Sequence, residues 1–241
     1  MIFGAERRTY TVLSGLNKGL KIFASAKTEL SLICGSFEPQ TQNIIKHFVS
    51  QGDVVFDIGA NVGYFSLGCS KLVGKNGKIY SFEAIPETAD ILKKNCHLNC
   101  LHNITLYKKA VSNKREKKTF LIPDQGENHT MASMVWHKED RSAKKVSVDS
   151  IVIDYNSELS ELSPAFIKID VEGSEAFVLK GMKSMLQNNS PIIFIECSEA
   201  GRKESWSLLT SFGYTCYEAS IPLQGVSHFD LYKHNDFLWM K

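Results

Sequence analysis

Residues 54–66 read VVFDIGANVGYFS. Three apolar residues run into an acid, Asp57, and then Gly59 and Gly63 bracket a turn. An apolar, helix-compatible run follows to about Val73. This is the pattern of a buried parallel strand entering a tight loop and then a helix. Glycine lets a backbone turn sharply and approach a ligand closely, because no Cβ blocks either. The rest of the chain is laid out relative to this turn.

A dinucleotide site is the obvious reading to test. Its fingerprint, G-x-G-x-x-G, uses the second glycine to let the backbone meet a pyrophosphate. Here the spacing is Asp57-x-Gly59-x-x-x-Gly63, and Asn61 occupies that second place. The close approach to a diphosphate is compromised. An acid just before the first glycine suits a ligand carrying an ammonium group and a sulfonium. An ordinary strand-to-helix turn is the plain alternative.

Further strands fall into order around this unit. Lys78 to Glu83 reads as a second strand, Pro86 to Leu98 as a helix, and Ile104 to Val111 as a third strand. Pro164 to Asp170 is the fourth, with a helix from Gly173 through Leu186, and Ile192 to Glu196 is the fifth. The β-α-β-α-β order implies a parallel sheet with right-handed crossovers. A helix is predicted over Trp206 to Phe212, followed by a closing antiparallel pair, Tyr214 to Tyr217 and Phe237 to Met240. The short β-like runs before residue 35 read as a small antiparallel cap, and Thr41 to Val49 as an amphipathic helix. The expected organisation is one domain over 1–241: a β cap to residue 35, then a Rossmann-like α/β core with a mostly parallel seven-stranded sheet. An excursion at about 112–149 replaces a crossover helix, and long loops of this kind are often functional. It is expected to overhang the substrate.

With 28 basic and 26 acidic residues the net charge is only +2, which argues against a broad nucleic-acid footprint. The cluster from Lys108 to Lys118 reads as a solvated loop face. Six scattered cysteines without a Cys-x-x-Cys pair read as reduced thiols. Cys96 and Cys100, with His97 and His102 nearby, lack the second half of a structural zinc set. The N-terminal charges do not fit a signal peptide, and no apolar run reaches the ~18 residues of a membrane span. A cytoplasmic protein is expected.

Four strands end in an acid at the sheet edge where open α/β folds bind ligands: Asp57, Glu83, Asp170 and Glu196. One such acid is ordinary turn chemistry. Four are harder to dismiss. Glu83 is suited to accept two hydrogen bonds from vicinal ribose hydroxyls, or else it caps the Pro86 helix. Glu38, before Pro39, is either a helix N-terminal acid or a carboxylate facing the site.

At this point the residues resemble a family. DIGANVG at 57–63, SFEP at 36–39, Ala132-Ser133-Met134 and above all IKIDVEGSE at 167–175 look like the FkbM-type methyltransferases. The resemblance covers roughly residues 35–200. It implies a class I, S-adenosylmethionine-dependent O-methyltransferase acting on a hydroxyl of a small molecule, natural product or glycan sugar. It puts Glu38, Asp57, Gly59, Asn61 and Gly63 around the amino-acid end of the cofactor, with Ser133 also on the cofactor side. Glu83 would take the ribose, Ala84 and Ile85 would lie along the adenine, and Ala110 and Val111 would sit near its edge. Asp170, which the resemblance also counts among the cofactor-binding residues, would face the transferred methyl together with Glu172 and Glu175.

Methyl transfer to an alcohol is an in-line displacement that needs an aligned nucleophile and a base. Asp170 is the first candidate for that base and Glu172 the second. His129 and His137, in the excursion, are further candidates. Lys168 alternates with Ile167 and Ile169 along its strand, so it is expected to lie inside, paired with a carboxylate. Alternatively, two carboxylates and Glu196 would hold a Mg²⁺ that lowers the alcohol pKa. An RNA or protein methyltransferase, an NAD-dependent oxidoreductase and a non-catalytic binding protein are the remaining alternatives.

Overall fold

The computed structural model describes residues 6–122, 144–197, 199–228 and 235–241. Its centre is a seven-stranded sheet. In chain order its strands are β3 (Val54–Ile58), β4 (Lys78–Phe82), β5 (Ile104–Tyr107), β9 (Phe166–Ile169), β10 (Ile192–Glu196), β11 (Thr215–Glu218) and β12 (Asp236–Met240). Across the sheet they lie β11-β12-β10-β9-β3-β4-β5. The β5-β4-β3-β9-β10 neighbours are parallel, and β12 runs antiparallel to both β10 and β11. The chain builds outward from β3 through β4 to β5, then returns to lay β9 on the other side of β3. That reversal between β3 and β9 is the switch point at which open α/β sheets take ligands.

Strand alternation decides what each face buries. On one face Phe56, Ile58, Ile167 and Ile169 pack with Val178, Leu179 and Met182. On the other, Val55 and Phe166 pack with Ile44, Ile45, Tyr64, Phe65 and Val73. The latter side chains come from α2 (Pro39–Phe48) and α3 (Tyr64–Val73). The same alternation aims Asp57 and Lys168 toward the α2/α3 face, and these two residues are cross-strand partners.

The N-terminal cap is a hairpin of β1 (Arg7–Thr11) and β2 (Lys21–Ser25), followed by a helix, α1 (Leu30–Cys34), that the β-like reading of this segment missed. Backbone groups of the hairpin are tied to α4 (Pro86–Leu98) and the residue after it. Lys21 N donates to Asn99 Oδ1 and Phe23 N to Asn95 Oδ1, each at 2.7 Å. Gln42 fixes the approach to α2, accepting from Leu16 N and donating to the carbonyls of Gly35 and Phe37.

Three boundaries differ from expectation. The third strand stops at Tyr107, and Ala110–Val111 forms a separate strand, β6, parallel to β8 (Lys144–Ile151). There Val111 and Ile151 join the core under Val178 and Leu179. The helix expected from Gly173 to Leu186 is two helices, α5 (Glu175–Gly181) and α6 (Lys183–Asn189). Asp154 restarts the second by accepting from Ser184 N and Met185 N, which satisfies first-turn donors. The last helix, α7 (Glu199–Ser211), begins well before Trp206. In the excursion, β7 (Lys117–Ile122) pairs antiparallel with β8 in a three-stranded sheet ordered β6-β8-β7. That sheet covers Ile85 with Phe120, Ile122 and Val148. Ser133, His129, His137 and the rest of 123–143 lie outside the described residues. Among the described residues, no helix is long and apolar enough to cross a membrane.

Candidate active site at the switch point

Two cavities meet at the carboxyl edge of β3 and β9. The first, about 100 Å³, is lined by Gly59, Asn61, Glu83, Ala84, Ile85, Ala110, Val111, Phe120, Asp170 and Glu172, among others. The second, about 270 Å³, is lined by residues that include Glu38, Tyr64, Phe65, Lys168 and Glu196. Gly59, Asn61, Asp170 and Glu172 belong to both, so the two form one crevice with Asp170 at its junction.

Gly59 holds that junction together. Its φ is +83°, and a Cβ there would lie 1.7 Å from the Asp170 carbonyl oxygen. The two strands can therefore close at the switch point only over a glycine. Gly63 serves packing instead: it lines neither cavity, and a Cβ would meet Leu92 at 2.7 Å.

Glu83 is 8% exposed, and both its oxygens hold the turn. Asn61 N donates to Oε2 and Ile85 N to Oε1, each at 2.8 Å. A carboxylate has about four lone-pair sites, so each oxygen keeps one for a ligand hydroxyl. Cap and ligand acceptor are thus compatible roles for this residue. Burial pushes its carboxyl up to about 7, against the pull of the two backbone donors. Asn61 has φ +51°, and its Oδ1 accepts from Val62 N.

Asp57 corrects an expectation. It was expected at the cavity, but it is 1% exposed and lines neither cavity. Its Oδ2 accepts from Ser66 Oγ at 2.5 Å. The reason is strand alternation, which points it under the turn toward α3. Its cross-strand partner Lys168 is 3% exposed and sets Nζ 2.9 Å from Asp170 Oδ2. Burial works against the ammonium, but Asp170, Asp57 and Glu38 outweigh it and hold Lys168 charged well above its ordinary range. Phe65 adds a ring face 5.1 Å from Nζ.

Glu38 sits at φ +42° before α2 and takes a hydrogen bond from Thr41 Oγ1 at 3.0 Å. It lines the second cavity, so it faces the site. Glu172, at φ +50°, lines both cavities. Burial raises its carboxyl, and Asp170 raises it further. Glu175 does not face the crevice. It is fully buried, and its Oε1 braces Gly173 N at 2.6 Å. Glu196 is pushed up to about 8 by burial first, then by Asp170, Asp236 and Glu38. Glu38, Asp170 and Glu196 bring carboxylate oxygens within 4.8 Å of one another.

The sequence reading missed Phe120, Thr28, Glu29, Ser31 and Leu32 as lining residues. They come from the excursion and the cap, whose positions depend on tertiary contacts that no local pattern carries.

A sheet of this order with its crevice at the reversal defines a Rossmann-like class I methyltransferase fold. A structure from Geobacter metallireducens GS-15, a precorrin-6y C5,15-methyltransferase, shares it at a TM-score of 0.52. The match has 17% identity and covers 91% of this chain and 95% of that one. The chain belongs to the FkbM methyltransferase domain family, whose model matches residues 57–218. It is an S-adenosylmethionine-dependent methyltransferase, and the NAD-dependent alternative falls with that assignment.

Curated relatives include a probable cobalt-precorrin-6B C(15)-methyltransferase (decarboxylating) of Saccharolobus solfataricus. It is 24% identical over 56% of this chain and 71% of its own length. The hexuronic acid methyltransferase AglP of Haloferax volcanii is 28% identical over 63% of this chain and 60% of its own. The chain thus spans well short of the full length of either.

Proposed function

We propose that the chain methylates a hydroxyl of a small molecule or glycan sugar. The observation that carries this reading is the ion-paired carboxylate of Asp170 at the junction of the two cavities. Bound S-adenosylmethionine supplies an electrophilic methyl group on a positively charged sulfur. The first cavity would take its adenosine half. Glu83 accepts the ribose hydroxyls, Ala84 and Ile85 flank the adenine, and Ala110 and Val111 meet its edge. Gly59, Asn61 and Glu38 surround the amino-acid end, and Ser133 stays assigned to the cofactor side by resemblance alone. Asp57 acts beneath the turn, by holding Lys168. Asp170 takes the proton of the acceptor hydroxyl, since a neutral alcohol is a weak nucleophile. Glu172 is the second carboxylate in reach of the junction. Lys168 orients Asp170 through Oδ2.

The carboxylates of Glu38, Asp170 and Glu196 could otherwise suit Mg²⁺. The buried ammonium of Lys168, 2.9 Å from Asp170 Oδ2, already sets a fixed positive charge against that trio. A divalent ion there would have to compete with that ammonium for Asp170. We infer that transfer needs no metal.

The test is a thermal-shift titration followed by labelled-methyl transfer to hydroxylated acceptors, with and without EDTA. S-adenosylmethionine should raise the melting temperature and NAD should not, and EDTA should leave turnover unchanged. Equal shifts for both ligands would remove the reading, and a chelator-sensitive rate would restore the metal.

The buried Glu83 gives a second expected result. Only its ionised form offers both oxygens to hydroxyl donors. Its proton is held up to about 7, so affinity for S-adenosylmethionine should rise as pH increases through that value. The Glu83→Gln variant should bind more weakly and lose that pH step in calorimetric titrations. A step of equal size in the variant would assign it to another group.

A further inference from the structure

The first cavity is walled largely by apolar groups, among them Phe82, Ile85, Val111, Phe120 and Val171. Most of its polar side chains are already engaged. Glu83 holds two backbone donors, and Asn61 Oδ1 accepts from Val62 N. Asp170 holds Lys168, Glu172 has a partner of its own, and Lys109 is exposed. Two lining hydroxyls differ from these. Thr88 is 3% exposed and Ser174 2%, yet neither Thr88 Oγ1 nor Ser174 Oγ has a hydrogen-bond partner in the protein.

Each hydroxyl passes over a bond that its local structure offers. Thr88 lies in the first turn of α4, and a helical threonine commonly bonds back to a carbonyl three or four residues earlier. Those carbonyls belong to Ile85 and Ala84, and the Ile85 oxygen accepts from Ala89 N instead. Ser174 stands at the N-cap of α5, where a serine oxygen ordinarily accepts from a first-turn N–H. It makes no such bond, and the neighbouring Gly173 N is held by Glu175 Oε1. A buried hydroxyl without a partner has given up its bonds to water with no return. Two such groups lining one cavity fit a ligand that supplies the missing bonds.

We infer that Thr88 and Ser174 hydrogen-bond the rim of the adenine of S-adenosylmethionine, and so set the affinity of its adenosine half. The inference rests on the reading above, which puts that half in this cavity, and it adds two residues to those given a role there.

Thr88 follows Ala84 and Ile85, which flank the ring in that reading, by about one helical turn. Ser174 follows Asp170, Val171 and Glu172. Since β4 and β9 lie on either side of β3, the two hydroxyls reach the cavity from different walls. Adenine carries an amino group and ring nitrogens around its rim, and each loses water when the flat ring enters an apolar slot. A hydroxyl both donates and accepts, so it can serve the amino group or a ring nitrogen. The ribose hydroxyls go to Glu83, which leaves the base as the part of the adenosine that still needs partners.

The test is calorimetric titration of the intact protein, Thr88→Val and Ser174→Ala with two ligands. One is S-adenosylmethionine, and the other is methylthioadenosine, which lacks the amino-acid end. Each variant should bind both ligands about three- to tenfold more weakly, the worth of one hydrogen bond, and by a similar factor for the two. The melting temperature without ligand should hold or rise, because no bond within the protein is lost. Unchanged affinity in either variant overturns the assignment of that residue. So does a loss seen with S-adenosylmethionine but not with methylthioadenosine, which would move the contact to the amino-acid end. A variant that melts lower without ligand had a protein partner for its hydroxyl, which also overturns its assignment. Failure of the underlying reading would show separately, as no binding of S-adenosylmethionine to the parent protein.

Discussion

Asp170→Asn should lower methyl transfer by about 10²–10⁴-fold, the range a positioned general base contributes, while S-adenosylmethionine still binds. Asparagine keeps the shape of the side chain and can still accept a hydrogen bond from Lys168. It cannot take a proton from an alcohol. Asp170 belongs to both cavities, so the loss falls on the group at the point where donor and acceptor must meet. Calorimetric affinity within about threefold of the parent, together with a collapsed turnover number, would separate this from misfolding. Retained turnover would move the base to Glu172, which also lines both cavities.

Much of this geometry was legible along the strands. An acid after each central strand placed Glu83, Asp170 and Glu196 on one edge, because parallel strands share an end. Alternation placed Lys168 inside, and its ion pair with Asp170 follows from a two-residue separation on one face. The same rule, applied to Asp57, predicts that it points under the turn with Lys168. The motif drew it toward the ligand instead. What stayed illegible depends on long-range contacts. Glu29 and Leu32 line the second cavity because the hairpin is tied to Asn95 and Asn99, more than seventy residues away in sequence. The pairing that carries Ala110 and Val111 to the first cavity is another such contact. They leave the main sheet to pair with β8, a partner about forty residues later. Their β-branched and apolar composition fits either sheet.

Lys168→Met should destabilise the fold by about 3–5 kcal/mol near neutral pH, the cost of breaking a buried ion pair from one side. Methionine fills similar space and can pack on Phe65, so little of the loss comes from a cavity. Beyond the lost pair with Asp170, the loss comes from Asp57, whose buried charge the ammonium offsets. Asp57 is 1% exposed, its Oδ1 has no hydrogen-bond partner, and burial already raises its carboxyl despite the ammonium. Without Lys168 its folded-state pKa rises further above the unfolded value. An acid shifted in that direction is penalised as pH climbs past its unfolded pKa, and relieved as pH falls below it. The deficit of the variant should therefore shrink as pH falls toward the unfolded carboxylate value of about 3.9. Adding Asp57→Asn should recover part of it, since the buried negative charge is then gone. Denaturant unfolding of the four members of that cycle measures the coupling directly. Additive losses, with no dependence on pH, would mean that Asp57 and Lys168 do not support each other beneath the turn, and the role given to Asp57 would have to be withdrawn.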